Sequence, residues 1–335
     1  MFRRSISSAE GRSGGNQENI PRCFLRDPNN PFYNLTAEEF LQKFRLSKGT
    51  VAMVLHELQS SRLPQGEFQL HLQLLSTLSF YGTGRCETAE AILGADGTKV
   101  QSVIRDVSMG ICNSLRERYL SFPDNYELST FQDDFYNVAD IRQIIGCVID
   151  LCVPINVNIG REMGVNDERY GEQVMKVLAV CGPQGQITHV IVQTHDVYYD
   201  WQIFCESMLL TTLTMGEYGQ VVLLTDGSYP IHPFLLRPTD AQSPASLELF
   251  NLCHFVTWQS TKKKFDEMMT RFPCLTNNMD PIYPTNVDVV MACAVLHNVS
   301  LRCRTPLPVS GPREPDPDPD VDQAQQQNDS YHMEE

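Results

Sequence analysis

The sequence is defined first by what it does not contain. Its 11 cysteines form no C-x-x-C pair, and their number is odd. They are scattered from Cys23 to Cys303, several inside apolar runs (Cys147, Cys152, Cys181, Cys293). This spacing gives neither a zinc ribbon nor a disulfide framework. Buried thiols of a reducing compartment account for it better. No apolar run approaches the ~20 residues that a membrane helix needs. No apolar signal core stands at the N-terminus, so a soluble protein of the nucleus or cytoplasm is expected, off the membrane. A basic excess is also missing. The formal net charge is −15, and the stretch from Thr305 to Glu335 supplies −7 of it with eight acids against one base. Between Leu35 and Asp124, nine bases face ten acids. Such a surface does not bind nucleic acid by charge alone. No G-x-x-x-x-G-K-[ST] loop, G-x-S-x-G elbow or H-E-x-x-H helix is present, which removes three large enzyme classes.

What is present suffices for a sizeable core: 335 residues, 42% of them apolar. That length accommodates two domains, or one large domain with tails. Residues 1–30 are rich in Ser, Gly, Arg and Asn without periodicity and read as a disordered tail. Residues 31–128 read as an all-α domain. Thr36-x-x-Glu39 is a capping box, and Ser47 caps a helix bearing Val51, Val54, Leu55 and Leu58. Leu72, Leu75 and Leu78 mark a third helix, with a break expected at Phe80–Gly84. A short helix from Thr88 to Leu93, a Gly94–Gly97 turn and a helix from Thr98 make a helix–turn–helix-like pattern. In a DNA reader its second helix offers Lys99, Gln101, Ser102 and Arg105 to the major groove. A plain helical bundle explains the same pattern.

From residue 129 to 303 the periodicity changes. A helix opened by Ser129 over 129–143 precedes a long apolar strand, 144–153, interrupted by Asp150. Strands at 174–181 and 187–193 flank the turn Gly182-Pro183-Gln184-Gly185. An amphipathic helix over 201–210 follows. Gln220 to Leu236 then reads QVVLLTDGSYPIHPFLL, an apolar strand closed by Asp226-Gly227-Ser228. Helices at 257–270 and 287–301 complete an α/β layer pattern. From 304 to 335, Pro alternates with Asp and then gives way to Gln, an acidic disordered tail.

Asp150 lies within the first strand and Asp226 at the end of the fourth. If those strands are neighbours, two carboxylates converge at one edge of the core, and keeping both ionised calls for a cation. Mg²⁺ or Mn²⁺ held by two Asp and a third acid would suit phosphodiester chemistry. Asp226 equally suits the start of a D-G turn that caps its own loop. His297 in its apolar helix reads as a hydrogen-bonded core residue, and Cys253-His254 is too few ligands for a metal.

Seven stretches occur in order: LSFYGTG (78–84), VID with VPI (148–155), YDWQIFCES (199–207), LLTDGSYPIHPFLLRP (223–238), Asn251-x-x-His254, KKFDEMMTRFPCL (263–275) and ACAVLHNVSL (292–301). Together they resemble the Harbinger-type transposase superfamily and its domesticated, transposase-derived nuclease relatives. The resemblance implies an RNase H-like mixed sheet with flanking helices behind the helical domain. It also implies a D-D-E triad binding divalent metal, nuclear residence and a Myb/SANT-like DNA-binding partner. Carried across, the two aspartates fall on Asp150 and Asp226. The glutamate, three residues ahead of Phe265, falls on Lys262. This swap turns a ligand into a competitor, where unit charges ~4 Å apart interact by roughly 4 kcal/mol at an effective dielectric near 20. An ammonium seated between the two aspartates would silence the site, and Asp266, one turn on, is a compensating acid on the same face. The expected function is a domesticated, catalytically impaired nuclease relative with a DNA-associated or partner-binding role. An active metal-dependent endonuclease and an acidic interaction scaffold are the alternatives.

Overall fold

The computed structural model describes residues 30–59, 67–156, 174–193, 200–205, 207–239, 245–282 and 286–309. The expected tails, 1–30 and 304–335, lie outside them except for Asn30 and residues 304–309.

Among the described residues seven helices come first: α1 Pro31–Asn34, α2 Ala37–Phe44, α3 Lys48–Gln59, α4 Leu70–Thr83, α5 Cys86–Leu93, α6 Gly97–Tyr119 and α7 Asn125–Ala139. The Thr36 capping box forms, with Glu39 N–H donating to Thr36 Oγ1 at 3.2 Å and Thr36 N–H to Glu39 Oε2 at 2.8 Å. Ser47 Oγ accepts from Thr50 N–H at 3.2 Å. The break expected at Phe80 comes later. Phe80 and Tyr81 are buried, Tyr81 Oη lies 2.6 Å from Ser108 Oγ, and α4 continues to Thr83. It stops at Gly84, whose φ of 79° is open to glycine at little cost. α7 starts four residues before the expected Ser129 cap. Asp124 accepts from Tyr126 and Glu127 N–H at 2.9 Å each, and Glu127 returns to Asp124 N–H at 3.2 Å. A reciprocal box satisfies more end groups than a lone serine does.

The sheet contains β1 Ile144–Pro154, β2 Val174–Cys181, β3 Ile187–Gln193, β4 Val222–Leu224 and β5 Leu235–Leu236, in the order β3-β2-β1-β4-β5. β1 to β3 are antiparallel neighbours, while β4 runs parallel to β1 and β5 parallel to β4. This is the mixed sheet with flanking helices that an RNase H-like fold requires. Gly185 closes the β2–β3 turn at φ 83°, and a Cβ there would lie 2.6 Å from Lys264 Cβ. The turn therefore needs glycine twice, for its dihedral and for the helix above it.

The single helix expected over 201–210 is two, α8 Asp200–Cys205 and α9 Met208–Thr214. Ser207 separates them, accepting from Leu210 N–H at 3.3 Å as the cap of α9. α10 runs Ala245–Arg271, well before the expected Thr257, and α11 runs Val287–Arg302. Among the described residues no helix is long and apolar enough to cross a membrane.

α11 is buried from Val289 to Ser300. It packs on α6 from one side and β3 from the other. The helical region and the sheet thus share one continuous core. Asn298 joins the three elements: its Oδ1 accepts from Ile187 N–H at 2.8 Å, and its Nδ2 donates to the carbonyls of Ile187 and Tyr119, each at 2.6 Å. The packed body also extends past residue 304. Arg271 donates to the carbonyls of Arg45, Thr305 and Pro306 at 2.9, 2.9 and 3.1 Å, and Thr305 Oγ1 lies 2.6 Å from Thr50 Oγ1.

Asn298→Leu removes the side-chain partner of three backbone groups, two of them in buried bonds. It should lower stability by about 2–4 kcal/mol in urea unfolding. His297 gives a pH signature. Its Nε2 lies 3.0 Å from Gly185 O, Nδ1 has no partner, and burial lowers its pKa to about 4. The neutral ring donates from Nε2, and a second buried N–H would go unmet. The unfolded chain takes up this proton near 6.5, so the ring's contribution is complete above that pH and lost as pH falls through about 4. Urea midpoints measured between pH 7 and 4 should fall by the equivalent of about 3 kcal/mol from this residue.

Candidate active site

β1 and β4 are parallel neighbours, with Cys147 opposite Leu224. Asp150 lies three residues beyond Cys147, and Asp226 lies two beyond Leu224. Asp226 therefore lies just past the end of β4, while Asp150 lies inside β1, which continues to Pro154. Their side chains have different settings.

Strand parity decides the first. Cys147, Ile149 and Val153 belong to the core cluster that contains Phe265 and Met268 of α10. Val148 belongs to the other cluster, with Phe204 of α8 and Leu209 of α9. Alternation carries Asp150 to this second face, where its cross-strand partner Leu178 also lies. Asp150 is exposed there. Its neighbour Ile149 shares the face of α10 and is fully buried.

Asp226 caps its own turn. Its Oδ1 accepts from Ser228 N–H at 2.8 Å and from Ser228 Oγ at 2.5 Å, the side-chain-to-backbone pattern of an Asx turn. It faces α10 through His254. That histidine is buried, its Nε2 lies 3.1 Å from Leu236 O, and burial lowers its pKa against an opposing pull from Asp226.

Lys262 does not sit between the aspartates. Its Nζ pairs with Asp266 Oδ1 at 2.9 Å along the same helix. This arrangement occupies the acid that sequence reading offered as a compensating ligand. The partners are at i and i+4, so the pair forms within α10 and needs nothing from the sheet. The ammonium also lies close enough to Cys181 to oppose the upward push of burial on that thiol. Among the described residues, no group of three or more His, Cys, Asp or Glu side chains could hold a metal ion. At the third position the described residues offer an ammonium in place of a carboxylate.

Several residues that position α10 escaped sequence reading. Trp258 Nε1 donates to Val148 O at 3.4 Å, the buried Thr261 lies beside the Cys147 thiol, and Lys264 Nζ donates to Pro183 O. Asn251 both accepts from Thr239 N–H and donates to Thr239 O, each at 2.9 Å. The N-x-x-H spacing was the available signal: Asn251 and His254, one turn apart, strap the segment after β5 onto α10.

The DNA-reading candidates are also placed differently from the expectation. Gln101 is buried because α6 is packed against α3, α4, α5 and α11. Lys99 pairs with Glu67 at 3.0 Å, and Arg105 pairs with Asp106 at 3.2 Å. A buried glutamine cannot read a groove, so this trio does not form a shared reading surface. Of the cysteines expected inside, Cys147, Cys181 and Cys293 are buried, while Cys152 is exposed, on the same face as Asp150. Burial pushes the Cys147 thiol up to about 12.

Comparison with known proteins gives the same frame. Residues 146–298 match the DDE superfamily endonuclease family. The chain is 27% identical over 252 residues to "Putative nuclease HARBI1" of Bos taurus, covering 72% of this chain and 71% of that one. The proteins of the same name from Rattus norvegicus and Homo sapiens are 27% and 25% identical over the same shares. No solved structure matches the chain.

If Asp226 serves its turn, Asp226→Asn should unfold in urea as the wild type does, because an amide oxygen accepts the same bonds. Asp226→Ala should lose about 1 kcal/mol.

Proposed function

We propose that the chain, whose residues 146–298 match the DDE superfamily endonuclease family, is a domesticated member of the Harbinger transposase-derived type that has kept the fold without the cleavage chemistry. What supports this reading is the setting of the positions that the resemblance assigns to a metal. The third holds a lysine paired with Asp266, and the first is an aspartate on the sheet face opposite α10. Divalent metal in this family would supply charge neutralisation and an activated water. Here Asp226 remains beside α10 and has a structural duty within its own loop.

In this reading the protein works in the nucleus as a partner-binding component. Contact with DNA is delegated to a Myb/SANT-like DNA-binding protein. The net charge of −15 and the buried Gln101 support that delegation, since neither favours an autonomous DNA reader.

A plasmid-nicking assay in Mn²⁺ tests the loss of chemistry. Wild type and Lys262→Glu should both stay at background, because restoring the glutamate does not bring Asp150 to the face of α10. Cleavage by the wild type that vanishes in Asp226→Ala would overturn the reading. A gel-shift titration on duplex DNA at low and moderate salt should likewise show no salt-sensitive complex of the chain alone.

A further inference from the structure

α10 is apolar on two sides. Its inner side buries His254, Thr257, Thr261, Phe265 and Met268 against the sheet. Its outer side exposes Leu249, Leu252, Phe255 and Val256 at 62, 58, 58 and 42%. These four are not scattered: the i, i+3, i+4 and i+7 spacings among them make one stripe. An amphipathic surface helix would carry polar residues there. A contiguous exposed patch of this kind marks an interaction site.

We propose that this stripe is a self-association surface, and that its occupant is the same helix of a second copy of the chain, lying antiparallel across a two-fold axis. The charges at its ends identify the occupant. Glu248 stands at one end and Lys263 at the other, both exposed, and neither forms an ion pair among the described residues. They lie equally far in sequence from the midpoint between Phe255 and Val256. An antiparallel copy centred on that midpoint sets each Glu248 against Lys263 of the other copy. The two pairs are about 22 Å apart along the helix. Phe255 meets Val256 at the axis, and each Leu249 lies over the aliphatic stems of the lysines. The same patch serves both copies, as a two-fold interface requires. The chain's net charge of −15 opposes most other ways of bringing two copies together. This stripe is apolar at its centre and self-complementary at its ends. One helix pair covers less than the ~800 Å² per partner of a standard interface, so the dimer is a reversible one.

Sedimentation equilibrium of the full chain at low salt, across a micromolar concentration series, tests this. The wild type should follow a monomer–dimer equilibrium. Glu248→Lys and Lys263→Glu should each weaken it by about ten-fold, and the double charge swap should return it to near the wild-type value. Phe255→Ser should abolish the dimer with circular dichroism and the urea midpoint unchanged, since the side chain is exposed. A chain that stays monomeric throughout, or a dimer indifferent to all four variants, would overturn the proposal.

Discussion

Asn298 is the point at which the rest of the structure is tied. α11 is buried from Val289 to Ser300, and it has the helical layer on one side and the sheet on the other. Its apolar residues supply adhesion without direction. The amide of Asn298 supplies direction, because it binds the start of β3 and the last turn of α6 together. His297, next to it, reaches the β2–β3 turn at Gly185. The same turn packs under α10 through Lys264. The position of α10 over the sheet thus follows in part from contacts at the β2–β3 turn.

A single constraint of the sheet then governs what chemistry is possible. Successive residues of a strand face opposite ways, so a displacement of one residue moves a carboxylate from one layer to the other. Asp150 follows Ile149, and Ile149 has the face of α10. The departure at Lys262 is therefore not isolated. In the proposed reading one position carries the wrong charge, another has the right group on the wrong face, and Asp226 is held by its own turn. Each is stable as it stands, the lysine through an i,i+4 pair and Asp226 through Ser228. On the proposed reading, a lost metal would leave no unmet charge at Lys262 or Asp226.

Much of this was legible in the sequence. The strands at 174–181 and 187–193 followed from apolar patterning and a Gly-Pro turn, and β1 differed by one residue at its end. The capping box at Thr36 and the Ser47 cap were local signals, and local signals survive folding. What failed was long-range or competitive. Asp124 displaced Ser129 because a reciprocal cap satisfies more backbone groups. α10 begins early because Asn251 and His254 gain partners only once β5 is in place. Gln101 looked exposed on a helical wheel, and the packing of four helices around α6 put it inside. The face of Asp150 could not be seen until strand pairing fixed which alternate residues meet α10.

The central claim is that the three inherited positions no longer make one metal site. Isothermal titration of Mn²⁺ into the full chain, the Lys262→Glu variant and the Asp226→Ala variant addresses it most directly. The account predicts no saturable heat in any of the three up to millimolar metal. Stoichiometric binding by the wild type that Asp226→Ala abolishes would contradict it.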